Sequence, residues 1–144
     1  MKRKGWSTYA WVAAVMVGCM GVMAWAQQRG AAGGDGLPPY VVKSEPVSRA
    51  TDVDVKLTEI RVTYDRPMTD GSWSWIIEGN LGAYPGAKEL GEPRWEDGGK
   101  TCVLPVKLQP GTVYAVGCNS YRHTGFKDRD GRVAVPYVLV FKTK

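Results

Sequence analysis

Beyond residue 40 the chain alternates apolar and polar side chains over short runs, and Gly, Pro, Asp and Asn separate the runs. The clearest run is EIRVTY at 59–64, in which Ile60, Val62 and Tyr64 share one face and polar side chains share the other. A two-residue period of this kind is typical of a half-buried β-strand. No stretch beyond residue 40 has the period of a long amphipathic helix.

Further short runs, rich in β-branched and aromatic residues, complete the pattern. They lie at 40–47, 72–79, 92–96, 101–106, 113–119 and 136–143. The connection between the first two strands predicts a short helical turn begun by Thr51 or Asp52. Because no helix is available to cross between parallel strands, six or seven such strands predict an all-β, antiparallel sandwich.

The first 26 residues have a different pattern. Three cationic residues precede an apolar stretch from about residue 10 to residue 23, and Ala24-Trp25-Ala26 then gives a small-x-small cleavage signal. This order is typical of a secretory signal peptide. We therefore expect residues 1–26 to be a leader helix that export removes, and the remainder to be secreted or periplasmic.

Two alternatives stay open for this leader. The segment Met16-Val17-Gly18-Cys19 loosely resembles a lipoprotein box, which would place a lipid on Cys19. Otherwise the leader would be an uncleaved anchor, although its apolar run is shorter than the ~20 residues of a spanning helix. Either alternative would make the leader the chain's contact with the membrane. Residues 27–39 (QQRGAAGGDGLPP) are Gly-rich and predict a flexible linker before a domain at 40–144.

Charge and length restrict the function classes. The chain has 19 Lys and Arg against 14 Asp and Glu, and three of the cations lie in the leader. The chain beyond residue 26 therefore keeps 16 cations and 14 anions, a net charge of +2 without a basic block. Since nucleic-acid binding calls for a basic face, we expect no nucleic-acid partner. The remaining length suits one domain with a single core.

Three longer segments resemble a known family. They are EIRVTYDRPM at 59–68, GKTCVLPVKLQPGTVYAV at 99–116 and FKDRDGRVAVPYVLVFKT at 126–143. In order they give an alternating strand with a Pro-Met turn at Met68, a Leu-x-Pro-Gly-x-x-Tyr corner, and an Asp-x-x-Gly loop before a closing strand. With these motifs the chain resembles the bacterial Ig-like domain of the SbsA type.

The resemblance implies an Ig-like β-sandwich of about seven strands without catalytic residues, used as a module of exported or surface proteins. The corner residues themselves predict structural roles. A tyrosine at the position of Tyr114 is expected to bury its ring and to hydrogen-bond nearby backbone through its hydroxyl. Pro110 and Gly111 suit the central positions of a type II turn.

Trp73 and Trp75 lie two residues apart, so they share one face of a strand. We expect this pair mainly to pack in the core, because large aromatic side chains are highly buried on average. The alternative is an exposed platform, with Trp95 as a further member, on which a sugar or a peptide stacks. The solvent exposure of the indoles distinguishes the two interpretations.

Cys102 and Cys118 each lie eight residues from Pro110, on opposite sides of the turn. They would be neighbours in one hairpin, or would meet across the core if the chain changes sheets at the turn. An exported compartment permits oxidation, and a cystine that closes a loop of this size contributes about 3 kcal/mol. We expect a disulfide between them, with two buried thiols as the alternative.

Few residues offer catalytic or metal chemistry. His123 is the only histidine, has no nucleophile at a recognised spacing and is predicted to lie in a loop. Asp128 and Asp130 before Gly131 resemble part of a calcium loop, but a β-turn explains the same residues. We therefore expect neither a cofactor nor a metal.

These features predict an exported, non-catalytic module with a structural or protein-interaction role at the cell envelope. Its expected contact surfaces are the loops at 80–91 and 120–132, which are polar and long enough to vary. The expected partner is an envelope or extracellular protein, and the alternative is a polysaccharide bound through exposed aromatics. An exported hydrolase is a weaker hypothesis, because no catalytic motif is recognisable.

Overall fold

A computed structural model describes residues 36–144 of the chain. The predicted leader and residues 27–35 of the predicted linker lie outside the described residues. The end of that linker packs on the domain, since Pro39 is fully buried and its carbonyl accepts a hydrogen bond from Val135 N at 2.8 Å. Across 36–144 no helix has the length and apolar character needed to cross a bilayer.

Seven short strands and two single-turn 3-10 helices occur in the described part of the chain. The strands are β1 Val41–Glu45, β2 Glu59–Tyr64, β3 Trp75–Ile77, β4 Arg94–Glu96, β5 Thr101–Pro105, β6 Val113–Cys118 and β7 Tyr137–Lys142. The 3-10 turns are Lys88–Leu90 and Asp97–Gly99.

The strands form two sheets, with the orders β1-β2-β5-β4 and β3-β6-β7. All of their pairings are antiparallel. The predicted all-β, antiparallel fold is therefore confirmed. Strands β5 and β6, which flank the turn at Pro110 and Gly111, belong to different sheets, so the chain changes sheets at this turn.

Alternation along the strands decides which side chains meet between the sheets. In β2, Ile60, Val62 and Tyr64 are at most 1% exposed, which confirms the face predicted from the sequence. Every second residue of β5, β6 and β7 joins them. These are Cys102 and Leu104, with Val106 just beyond β5, then Tyr114, Val116 and Cys118, then Leu139 and Phe141.

The loop between β6 and β7 contributes a central aromatic residue to this core. Phe126 is fully buried, and its ring centroid lies 5.4 Å from that of Tyr64 and 5.3 Å from that of Trp75. Trp95 meets the same ring edge-on at 5.9 Å. The sequence predicts an exposed loop after β6, but only the tip of this loop is exposed, where Tyr121 is 97% exposed.

A buried amide fixes this loop. Asn119, with φ of 62°, donates from Nδ2 to the carbonyls of Phe126 at 2.8 Å and Ala134 at 3.1 Å. Its Oδ1 accepts a hydrogen bond from the N–H of Phe126 at 2.9 Å. These bonds satisfy backbone groups that would be costly to bury unpaired.

The outer edge of β7 is covered by the segment at 49–53. Arg49 N donates to Val140 O at 2.6 Å, and Lys142 N donates to Ala50 O at 2.8 Å. Val53 forms a parallel bridge with Thr143. The structure has no helix between β1 and β2, so the short helical turn predicted at Thr51 or Asp52 is wrong, and the backbone there pairs with β7.

The corner between β5 and β6 is held by side chains as well as backbone. Tyr114 is buried, and its hydroxyl accepts a hydrogen bond from Gln109 N at 2.8 Å. Gly111 has φ of 63°, the left-handed conformation that a type II turn needs at this position. Outside this corner, Met68 of the predicted Pro-Met turn after β2 is buried as well, and its N–H donates to Gly99 O at 2.8 Å.

Phe126→Ala tests the central role of the β6–β7 loop in folding. We expect the free energy of unfolding to fall by about 3–5 kcal/mol, because the change removes a fully buried ring that contacts both sheets. Chemical denaturation followed by circular dichroism measures it. Tyr121→Ala, on the exposed tip of the same loop, is the control and should change stability by less than about 0.5 kcal/mol. Equal effects of the two variants would contradict the assignment.

Candidate functional site: an aromatic groove beside β3

A groove of about 790 Å³ opens beside β3. Its lining is mainly apolar with a few polar side chains. It includes Trp73, Trp75, Ile77, Tyr84, Pro93 and Leu104, with Ser74, Lys88 and Glu92 as the polar members. Small-molecule sites are typically about 300–1,000 Å³ and combine aromatic walls with a few polar groups. This groove is therefore the candidate binding site.

One wall of the groove is the loop at 80–91, and both sheets hold it. Ala83 N donates to Val113 O at 2.9 Å, and Ala83 O accepts from Ala115 N at 2.9 Å, which ties the loop to β6. Farther along, Pro85 O accepts from Lys107 N at 3.2 Å, just beyond β5. The loop predicted as a contact surface is thus a fixed wall.

Glycines let this wall lie close to its neighbours. A Cβ at Gly82 would lie 2.8 Å from Val113 O, so no larger residue fits without moving backbone. A Cβ at Gly86 would lie 3.0 Å from Cε1 of Tyr84, whose ring therefore packs directly on the glycine. Burial, followed by the nearby Cys118, raises the pKa of the Tyr84 phenol, so this hydroxyl keeps its proton at neutral pH.

Trp73 and Trp75 both pack on the core and line the groove. Trp75 lies in β3 opposite Cys118, and its ring meets Phe126 edge-on. Each indole is only partly buried. The two interpretations of the sequence, core packing and exposed platform, therefore describe different sides of the same two side chains.

Trp95 contacts the same Phe126 ring as Trp75 but does not line the groove. It lies in β4 and packs against Tyr64 at 6.1 Å and Phe126 at 5.9 Å, away from the groove lining. Tyr84 supplies the third aromatic wall instead. Sequence reasoning missed Tyr84, because it lies in a Gly- and Pro-rich loop with no strand pattern to give its direction.

Cys102 and Cys118 face the core from opposite sheets and are both fully buried as unbonded thiols. Burial raises the pKa of Cys102 to about 12. Burial, followed by the charge of Cys102, also raises the pKa of Cys118. The Tyr64 hydroxyl and the Trp75 indole N–H approach these sulfurs without hydrogen-bond geometry. The disulfide stays a prediction.

The two aspartates of the possible calcium loop serve a turn. Asp128 is 2% exposed, and its Oδ1 accepts hydrogen bonds from the backbone N–H groups of Asp130 at 3.0 Å and Arg132 at 2.9 Å. Its Oδ2 accepts from Arg132 Nε at 2.8 Å, with Arg66 Nη1 3.8 Å away. The chain itself thus engages both carboxylate oxygens. Within 36–144 no three His, Cys, Asp or Glu side chains gather as metal ligands.

His123 lies on the exposed tip after β6. Its Nδ1 is 3.3 Å from Ser120 Oγ, and the same oxygen accepts the N–H groups of Arg122 and His123 at 3.3 and 3.2 Å. Ser120 therefore caps a turn, as short hydroxyl side chains often do. The loop position predicted for His123 is what the structure shows.

The outer face of the four-stranded sheet carries a closed set of ion pairs. Arg61 binds Glu59 and Glu96, and Arg94 binds the same two carboxylates at 2.7 and 3.0 Å. Between the two arginines in register lies Val103, which is 0% exposed although it points away from the core. This face is therefore charge-balanced.

No protein-family model matches the chain, and no curated protein matches it. Two solved structures show partial likeness. One is the S-layer protein SbsC, with 20% identity and a TM-score of 0.46 over 75% of this chain. The other is surface layer protein SbsC, domains 1–6, with 21% identity and a TM-score of 0.45 over 74% of this chain. This chain spans 14% of the length of each. Likeness of this degree shows neither family nor function, and the SbsA-type resemblance stays a prediction.

Asp128→Asn tests the turn that holds the β6–β7 loop. Burial raises the pKa of Asp128, but hydrogen bonds from the backbone and guanidinium of Arg132 outweigh it, so the pKa lies below its ordinary 3.8. The charged form therefore stabilises the fold fully above about pH 4, and that contribution is lost as pH falls through the lowered pKa. We expect Asp128→Asn to lower stability at pH 7 by about 1–3 kcal/mol and to flatten the acid limb of the stability profile.

Denaturation at several pH values between neutral and acid measures both effects. Asp130→Asn is the matched control, because Asp130 pairs with the same Arg132 but its side chain is 60% exposed. We expect this control to change stability by less than about 1 kcal/mol. An acid limb unchanged by Asp128→Asn would contradict the role given to the buried carboxylate.

Proposed function

We propose that this protein is an exported, non-catalytic module with a structural or binding role at the cell envelope. The observation that carries the proposal is that its buried charged side chains and its accessible aromatic side chains have different roles. The buried charged groups Arg66 and Asp128 are engaged in holding loops, whereas the accessible groove is lined by aromatic side chains. Such an arrangement suits binding, for which fixed apolar walls and few polar groups are sufficient.

Export is supported by the order of charge, apolar run and small residues in the first 26 positions. In this setting we also propose that Cys102 and Cys118 form a cystine, the two thiols losing their hydrogens to a disulfide of the oxidising compartment. Both thiols are fully buried in the folded domain, so an external disulfide does not reach them there. The bond would therefore form before the core closes.

Intact mass of the protein exported with its own leader tests this part of the proposal. We expect the leader to have been removed by cleavage after Ala26. We also expect the mass of the protein to rise by two hydrogens when reductant is added under denaturing conditions. The Cys102→Ser variant should show no such rise. Folded protein that has been reduced and refolded should resist thiol alkylation until denaturant is added. A retained leader inside the cell would contradict export, and rapid alkylation of the folded form would contradict the sealed core.

Co-sedimentation with isolated cell-envelope fragments tests the binding role. We expect the mature protein to sediment with the fragments, and Trp73→Ala to reduce the bound fraction several-fold, because it removes an aromatic wall of the groove. Tyr121→Ala removes an exposed aromatic outside the groove and serves as the control. If the mature protein fails to sediment, or if both variants behave alike, the groove is not the contact surface.

A further inference from the structure

The groove beside β3 has features that restrict the chemistry of its occupant. Trp73, Trp75 and Tyr84 all line one space of about 790 Å³, which is large enough for a segment of a chain-like ligand. Indole and phenol rings offer flat faces with negative quadrupoles, which attract slightly positive C–H groups. An occupant that stacks on these walls therefore needs flat apolar faces of its own.

The walls are fixed before any ligand arrives. Trp75 is held by its pairing with β6 and by its edge-on contact with Phe126. The backbone beside Trp73 is held through Ser74, whose Oγ accepts the N–H of Gly125 at 2.8 Å. Tyr84 lies in the loop that both sheets anchor. Little ordering entropy of the protein is therefore lost on binding.

The charges at the groove cancel. Lys88 and Glu92 both line it, one cation and one anion, and both are exposed. An anionic ligand would gain from Lys88 and lose at Glu92, and a cationic ligand would do the reverse. A neutral ligand with hydroxyl groups can instead accept a hydrogen bond from the ammonium and donate one to the carboxylate.

Both requirements are met by one class of ligand. Sugar rings carry flat C–H faces together with hydroxyl groups around their edge. We propose that this groove binds a neutral saccharide segment, presented by a polysaccharide of the envelope. The assignment rests on the proposed binding role and adds its ligand class. Trp73, Trp75 and Tyr84 are the stacking residues, and Lys88 and Glu92 are the groups that hydrogen-bond sugar hydroxyls.

Titration of the mature protein with cellohexaose, maltohexaose and chitohexaose tests this inference. Tryptophan fluorescence and calorimetry follow the binding. We expect at least one of these neutral oligosaccharides to bind, with little dependence on salt because no net charge is neutralised. Trp73→Ala and Tyr84→Ala should each weaken the affinity roughly tenfold, and Trp73→Phe should recover part of the loss, since it restores an aromatic face.

Two controls separate a local effect from a loss of fold. Tyr121→Ala removes an exposed aromatic outside the groove and should leave the affinity unchanged. Thermal unfolding of each variant reports whether the domain is intact. If Trp73→Ala does not fold, Trp73→Phe and Tyr84→Ala decide the question, because Trp73→Phe keeps an aromatic ring at that position and Tyr84→Ala leaves Trp73 in place.

The outcomes are distinct for the two proposals. Absence of binding to all three oligosaccharides, or affinity that survives both Trp73→Ala and Tyr84→Ala, overturns the saccharide assignment. If envelope fragments still bind through Trp73 in that case, an envelope protein is the partner and the proposed function stands. If mass spectrometry finds the oligosaccharides shortened during incubation, the non-catalytic function itself is wrong.

Discussion

The contact of Phe126 with aromatic rings from both sheets is the interaction on which the rest of the structure depends. Tyr64 and Trp95 come from the four-stranded sheet and Trp75 from the three-stranded one, and all three meet the same ring. Because the ring comes from a loop, the loop must fold inward for the sheets to close. The groove is in turn built on the other side of Trp75, so its position depends on the same contact.

Polar groups make this inward fold possible. Asn119 bonds the backbone at Phe126 and Ala134, and Asp128 closes the turn that follows. Arg66 lies beside Asp128, and its Nη1 also donates to Leu37 O at 3.0 Å, so the end of the predicted linker is joined to the same region. Each of these polar side chains replaces water by fixed hydrogen-bond partners, which limits the free-energy cost of burying it. The buried charges of this domain therefore stabilise its loops.

The strands could be predicted because their information is local. Alternation in EIRVTY gave the inward face of β2, and the Leu-x-Pro-Gly corner placed Tyr114. The roles of Phe126 and Tyr84 could not be predicted, because each lies in a loop whose path is set by distant backbone partners. The direction of the Trp95 side chain could not be predicted either, because β4 is too short to show a period of its own. Periodicity predicts faces, but only tertiary pairing decides where a loop residue points.

The sheet edges restrict how two copies of this domain can pair. The edge of β7 is occupied by the segment at 49–53, and β3 and β4 have only three residues each. Strand β1 is longer, but it carries Lys43 and Glu45 and is followed by Pro46, which has no N–H to offer. Short, charged or covered edges resist the strand exchange that leads to amyloid-like stacking. The edges of this domain therefore offer little free backbone for pairing with the strands of another copy.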